Sequence, residues 1–200
     1  MLGYFRGRES RPSSCWWVLL KTLFQTVIFW SVFLFLLPAG ILALESELGL
    51  VGWRFSGIPR VWFGGLLFVL GGSLGLTSGV VMAVRGRGTP LPADCPRELV
   101  VAGPYRYIRN PMAVAGLTQG VGVGVFLGSP AVIAYALLGG PVWHLFVRPW
   151  EEMDLEQRFG EPYRHYRAAV GCWLPCLPGY RPPVEKAGPP QELPLRLTNR

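Results

Sequence analysis

Residues 112–147 read MAVAGLTQGVGVGVFL, then GSP, then AVIAYALLGGPVWHLFV: two stretches free of Asp, Glu, Lys and Arg, joined by three residues. In the joint, Ser129 is suited to cap a following helix and Pro130 to occupy its first position. So short a connection folds Met112–Leu127 and Ala131–Val147 back on each other as an antiparallel helical hairpin. Two more apolar stretches lie upstream. Val61–Val84 carries no charge and is closed by Arg85 and Arg87. Val18–Leu44 is interrupted only by Lys21, Thr22, Gln25, Thr26 and Ser31, with Trp16, Trp17 and Trp30 spaced like interfacial anchors. Its basic flank, Arg6, Arg8 and Arg11, resembles that of a signal peptide, yet the apolar run exceeds the roughly 7–15 residues of a signal core. A retained helix is expected. A bilayer needs roughly 20 apolar residues per helix, so the pattern predicts an all-α integral membrane protein with about four transmembrane helices, the hairpin's two being the shorter.

Composition agrees. Of 200 residues, 50% are hydrophobic and only 16% charged, which is not the balance of a soluble domain. The 26 glycines and 19 prolines lie among apolar runs rather than in a polar chain, so disorder is expected only locally. The net charge of +7 comes from arginines that flank apolar segments instead of forming one stripe, a pattern of membrane topology and not of nucleic-acid binding. Basic residues concentrate before the first span and again in the 85–110 loop, while the first loop holds only Arg54 and Arg60. That alternation places both termini and the second loop in the cytoplasm. The four cysteines, Cys15, Cys95, Cys172 and Cys176, form no CxxC and have no ligands at zinc-finger spacing, so free thiols and no metal are expected.

After Trp150 the chain becomes amphipathic, with Met153, Leu155, Phe159, Tyr163, Tyr166 and Val170 among charges and a break at Gly160 and Pro162. Two short helices along the membrane face are expected. The organisation predicted is a basic cytoplasmic N-terminus (1–17), two N-terminal spans (18–84), a region of loop, hairpin and amphipathic helices (85–175), and a disordered proline-rich tail (176–200). Gly71, Gly75 and Gly79 recur at every fourth position of the second span, as do Gly116, Gly120, Gly124 and Gly128 in the third. Such stripes serve close helix packing, or else make room for a flat ligand.

Two clusters could carry chemistry. His144, Arg148, Glu151 and Glu152 share one face of a regular helix at i, i+4, i+7 and i+8, with Pro149 positioned to distort it. Adjacent glutamates repel and require cationic or hydroxyl partners. The second cluster, GPYRYIRNPM at 103–112, runs into the third span with Asn110 as N-cap and Pro111 in the first turn. Free N–H groups at that helix start, joined by Arg106 and Arg109, suit an anion such as a carboxylate.

Gly86-Arg87-Gly88-Thr89-Pro90-Leu91-Pro92, the GPYRYIRNPM run, Glu151-Glu152, Phe159-Gly160, Tyr163, Tyr166 and Trp173-Leu174-Pro175 together resemble the catalytic half of the isoprenylcysteine carboxyl methyltransferases and their phospholipid methyltransferase relatives. The similarity covers about Gly86 to Pro175. It implies a helical membrane enzyme that binds S-adenosyl-L-methionine on the cytoplasmic side and takes a lipidic acceptor from the bilayer. It maps the arginine–asparagine–proline motif onto Arg109, Asn110 and Pro111 and the glutamate pair onto Glu151 and Glu152, both associated with the cofactor. Ala113 and Cys172 depart from residues common in relatives, a tyrosine and a late arginine.

The cofactor carries a carboxylate, an ammonium, ribose hydroxyls and an adenine. Arg109 and the Asn110 helix start suit the first, Glu151 and Glu152 the next two, and Tyr105, Tyr107 and Trp150 the adenine. A carboxylate or thiolate acceptor needs alignment and water exclusion, whereas an amine must be neutral and would draw on His144 or a glutamate as base. Carboxylate O-methylation of a prenylated cysteine, phospholipid amine N-methylation and S-methylation of a hydrophobic thiol all remain open, as does a non-catalytic membrane scaffold.

Overall fold

The computed structural model describes residues 14–89 and 95–183, and among these every regular element is helical. Arg6, Arg8 and Arg11, Pro90-Leu91-Pro92 and the tail from residue 184 lie outside the described residues. Five helices organise the chain: α1 Cys15–Glu47, α2 Ile58–Gly86, α3 Pro111–Leu127, α4 Pro130–Phe159 and α5 Glu161–Ala169. Helices α1, α2 and α4, of 33, 29 and 30 residues, are long and apolar enough to cross a membrane. Helix α3 is apolar but has 17 residues, a rise of about 26 Å at 1.5 Å per residue. It packs mainly against α2 and then α4. The chain is an all-α membrane protein.

The spans extend a turn or so past their apolar runs because local signals set their ends. Ser14 accepts from the Trp17 N–H at the start of α1, and Pro59 sits in the first turn of α2. At the hairpin joint Ser129 accepts from the Val132 N–H at 3.1 Å and Pro130 opens α4, as the sequence predicts. Gly128 takes φ +70°, and a Cβ there would overlap the Phe55 carbonyl oxygen, so both its conformation and its surroundings require glycine.

The first amphipathic helix is not separate. The span of Ala131–Val147 continues into it through a π-turn at Trp143–Val147, making one helix to Phe159. Pro149 has no N–H for the Leu145 carbonyl, and the wider π hydrogen bonding absorbs that loss upstream of the proline. A second π-turn, Ser31–Leu36, lies in α1. Gly160 then breaks the chain at φ +57° and α5 begins.

The glycine stripes are filled by neighbouring helices. A Cβ on Gly71 would lie 2.8 Å from both Ala115 O and Gln119 Cγ of α3, and one on Gly79 would meet Thr22 Cγ2 of α1 at 3.3 Å. Along α3, Gly120 and Gly124 receive Ala136 and Ile133 of α4. These contacts are close backbone packing; Gly116 alone of that stripe has nothing within 4 Å.

Residues 176–183 of the expected tail are tied down, as is the stretch from Gly171 that leads into them. Tyr180 N–H donates to Arg106 O at 2.8 Å, Cys176 N–H to Tyr107 O at 2.9 Å, and Arg109 N–H to Gly171 O at 2.9 Å. Tyr180 also packs edge-on to Tyr166. A run with no periodicity is held here by backbone pairing, which side-chain patterns do not report.

Candidate active site

At the end of the bundle where α3 begins, the loop before α3, the amphipathic part of α4 and helix α5 converge. Tyr163, Tyr166 and Val170 form a small buried core against Leu99, Val101, Leu155 and Phe159. The Tyr166 hydroxyl donates to the Tyr105 carbonyl at 2.6 Å, fixing the short 3₁₀ turn Gly103–Arg106. That turn sets Arg109 and Asn110 at the mouth of α3.

Asn110 does two jobs. Its Oδ1 caps α3 by accepting from Ala113 N–H at 2.9 Å, and its Nδ2 reaches Glu151 Oε2 at 3.4 Å. Arg109 Nη1 donates to Glu152 Oε1 at 2.7 Å, with the two side chains only 14% and 18% exposed. Arg148, one turn before Glu152, lies 3.8 Å from the same oxygen, too far for a good hydrogen bond. The two sequence clusters, separated by about forty residues, thus form one part-buried polar site.

The site is not internally satisfied. Tyr105 Oη, Arg109 Nε and Arg148 Nε are buried and have no hydrogen-bond partner. Leaving such donors unmade costs roughly 1–3 kcal/mol each. Tyr105 is 5% exposed, and burial holds its phenol well above its ordinary titration range, so it is a fixed donor. The Tyr163 phenol is pushed up to about 12 by burial and by the Glu152 carboxylate, while it hydrogen-bonds Arg109. Three donors and two carboxylates in one recess suit a zwitterionic ligand rich in hydroxyls.

The remaining predicted residues sit differently. Pro111 is fully buried in the first turn of α3. Pro111 brings no N–H and Asn110 occupies that of Ala113, so guanidinium groups outweigh helix-start amides as anion donors. The ring of Tyr107 is covered on one side by Gly179, where a Cβ would lie 2.7 Å from Cε1. Trp150 is 44% exposed. His144 is held by the residue after Cys172: its Nδ1 accepts from Trp173 Nε1 at 2.9 Å. Because indole only donates, this bond puts the proton of neutral His144 on Nε2.

Two neighbours, noted from the sequence only within the resemblance or as a departure from it, gain a place in the site. Cys172, 8% exposed, lies beside Arg109, Arg148 and Glu152, and burial raises its thiol above the usual range. Trp173 holds His144. Neither carries a local signal, since each acts on residues far away in sequence.

Fold and site define a multi-pass helical membrane protein with a polar, donor-rich recess at one end of its bundle. Comparison with known families gives the relationship. The phospholipid methyltransferase profile matches residues 59–162, just over half the sequence, and the chain belongs to that family. Among curated proteins, it is 29% identical over 129 residues to protein-S-isoprenylcysteine O-methyltransferase A of Arabidopsis thaliana, covering 60% of this chain and 64% of the relative. Form B from the same plant is 32% identical over 132 residues with the same coverage. A probable protein-S-isoprenylcysteine O-methyltransferase of Oryza sativa subsp. indica is 34% identical over 83 residues, 40% of this chain and 42% of that one. The chain therefore spans somewhat under two thirds of the length of the two Arabidopsis relatives and under half of the rice one.

Proposed function

We propose that this protein transfers a methyl group from S-adenosyl-L-methionine to a lipidic acceptor, and that the acceptor group is the carboxylate of a prenylated cysteine. The observation that carries the proposal is the Arg109–Glu152 bridge at 2.7 Å together with the unpartnered donors around it. The recess fits the cofactor. Arg109 Nε is available to the methionine carboxylate even while Nη1 holds Glu152. Glu151 and Glu152 suit the ammonium and ribose hydroxyls, and Tyr105 and the open side of Tyr107, with Trp150, suit the adenine edge.

When bound, the cofactor supplies the methyl group, and transfer to a carboxylate oxygen breaks a carbon–sulfur bond, forms a carbon–oxygen bond and moves no proton. The protein's task is then to align and to exclude water. Arg148, whose Nε has no partner, is the cation left over for the acceptor carboxylate once Arg109 is engaged. His144 is better placed as an Nε2–H donor than as a base, since Trp173 occupies Nδ1. An amine acceptor would draw instead on Glu151, whose carboxyl is pushed up to about 7 by burial and the Glu152 carboxylate, whereas a carboxylate acceptor needs no base. The names of the plant relatives support the same acceptor class.

The arginine distribution supports a reading in which this site faces the cytoplasm. A cysteine introduced at Ser56 is then expected to react with an impermeant maleimide on intact cells; protection there together with reaction only after lysis would reverse the orientation. The activity itself is tested by incubating membranes holding wild type or Glu151→Ala/Glu152→Ala protein with methyl-labelled cofactor and separating lipid, protein, soluble and volatile fractions. Label in prenylated protein or prenylcysteine ester from wild type alone is expected. Label in phospholipid or in a volatile thioether would replace the acceptor, and no cofactor binding by calorimetry would overturn the enzyme in favour of a scaffold.

A further inference from the structure

The segment that follows α5 exposes two large apolar side chains, Leu174 at 79% and Leu177 at 83%. The backbone around them is pinned by the Gly171–Arg109 and Cys176–Tyr107 hydrogen bonds on either side of Leu174 and by the Cys176–Tyr107 and Tyr180–Arg106 hydrogen bonds on either side of Leu177. Their depth is fixed by their neighbour. Trp173 donates to His144 at 2.9 Å and its ring packs edge-on to Trp143 at 5.4 Å. Both partners lie in the π-turn of α4, at the end of a membrane-spanning stretch, where Leu145 and Phe146 are 65% and 66% exposed. Trp150 and Met153 carry the same apolar exposure onward along α4.

We propose that Leu174 and Leu177 insert into the headgroup–acyl boundary of the bilayer, continuing the lipid-facing surface of α4. The occupant of this surface is lipid and not a protein partner, since Trp173 anchors the segment to the π-turn whose Leu145 and Phe146 are exposed within a helix long and apolar enough to cross a membrane. Apolar side chains at that depth are removed from water, and a flanking indole suits the same zone. The consequence is specific to the site. The inserted segment is the one whose backbone holds Arg106, Tyr107 and Arg109, so the bilayer itself becomes part of the support for the recess. This inference does not depend on methyl transfer.

The test places p-benzoylphenylalanine at Leu174 or at Leu177 in the full chain, reconstituted in phosphatidylcholine vesicles and irradiated, with adducts read by mass spectrometry. Phe146 serves as the lipid-facing reference. His165, exposed on α5 beside Glu161, serves as the polar one. Lipid adducts at Leu174 and Leu177 are expected at the yield of Phe146 and several-fold above His165. A yield no higher than that of His165 overturns the proposal, as do crosslinks between two copies of the protein in place of lipid.

Discussion

Buried charge occurs at both ends of this bundle, and the two ends treat it oppositely. At the hairpin end, Glu45 of α1 accepts from Ser129 Oγ at 2.5 Å and from Arg54 Nε at 2.7 Å, and Arg54 also donates to Leu42 O at 2.9 Å. The carboxylate is 5% exposed and both its oxygens are engaged. At the other end, Arg109 and Glu152 are similarly paired but leave three donors around them without partners. Buried charge alone does not mark a candidate site; several unfinished hydrogen bonds clustered around it do so better than isolated orphans such as Arg60 Nε and Gln119 Nε2. The Glu45 cluster clamps α1 and the 54–55 loop onto the hairpin turn, and the Arg109 cluster is the one we propose to take the ligand.

The sharpest way to break that comparison is Glu45→Ala. Removing it strands Ser129 and Arg54, and a loss of about 3 kcal/mol in folding stability is expected, with cofactor affinity of the folded protein unchanged. Thermal denaturation in detergent alongside calorimetry checks both halves; a stable variant with lost affinity would invert the two roles. Arg109→Ala is expected to weaken cofactor binding by roughly 1.5–3 kcal/mol, with a smaller loss of stability than Glu45→Ala because Arg148 stays 3.8 Å from the same Glu152 oxygen.

Gln119 sharpens the contrast, because it lies 1% exposed inside the bundle with Nε2 unpartnered, away from both clusters. Gln119→Leu removes an orphan donor without disturbing the recess. A gain of about 1–2 kcal/mol in stability is expected, read as a raised melting temperature with unaltered affinity. The smallest effect concerns Cys172. Burial raises its thiol, so the pH at which it becomes reactive lies above that of an ordinary cysteine. Maleimide mass labelling over a pH series is expected to modify exposed Cys15 first and Cys172 only at higher pH. Equal rates at every pH would show that the recess is open to solvent.

Local signals were legible. Ser129 and Asn110 as caps, the break at Gly160 and the apolar runs each follow from neighbours in sequence, and each is found where the pattern puts it. The face shared by Arg148 and Glu152 was also readable, but the π-turn before it was not, and it carries His144 toward Trp173. What stayed hidden depends on long-range pairing. Ser129 meets Glu45 from 84 positions away, and Tyr180 meets Arg106 from 74. The glycine stripes were ambiguous because spacing reports an absent side chain and not what fills the gap; Ala115, Gln119 and Thr22 fill most of that on α2.

The clamp at Glu45 has a bearing on how the molecule is built. A chain emerges from the ribosome N-terminus first, so Glu45 meets Arg54, nine positions on, long before Ser129 is synthesised. The ion pair is then a docking post made by the first half of the protein, and the hairpin turn is the late arrival that closes over it. Errors in that last step would leave a half-assembled chain with the Glu45–Arg54 ion pair uncovered.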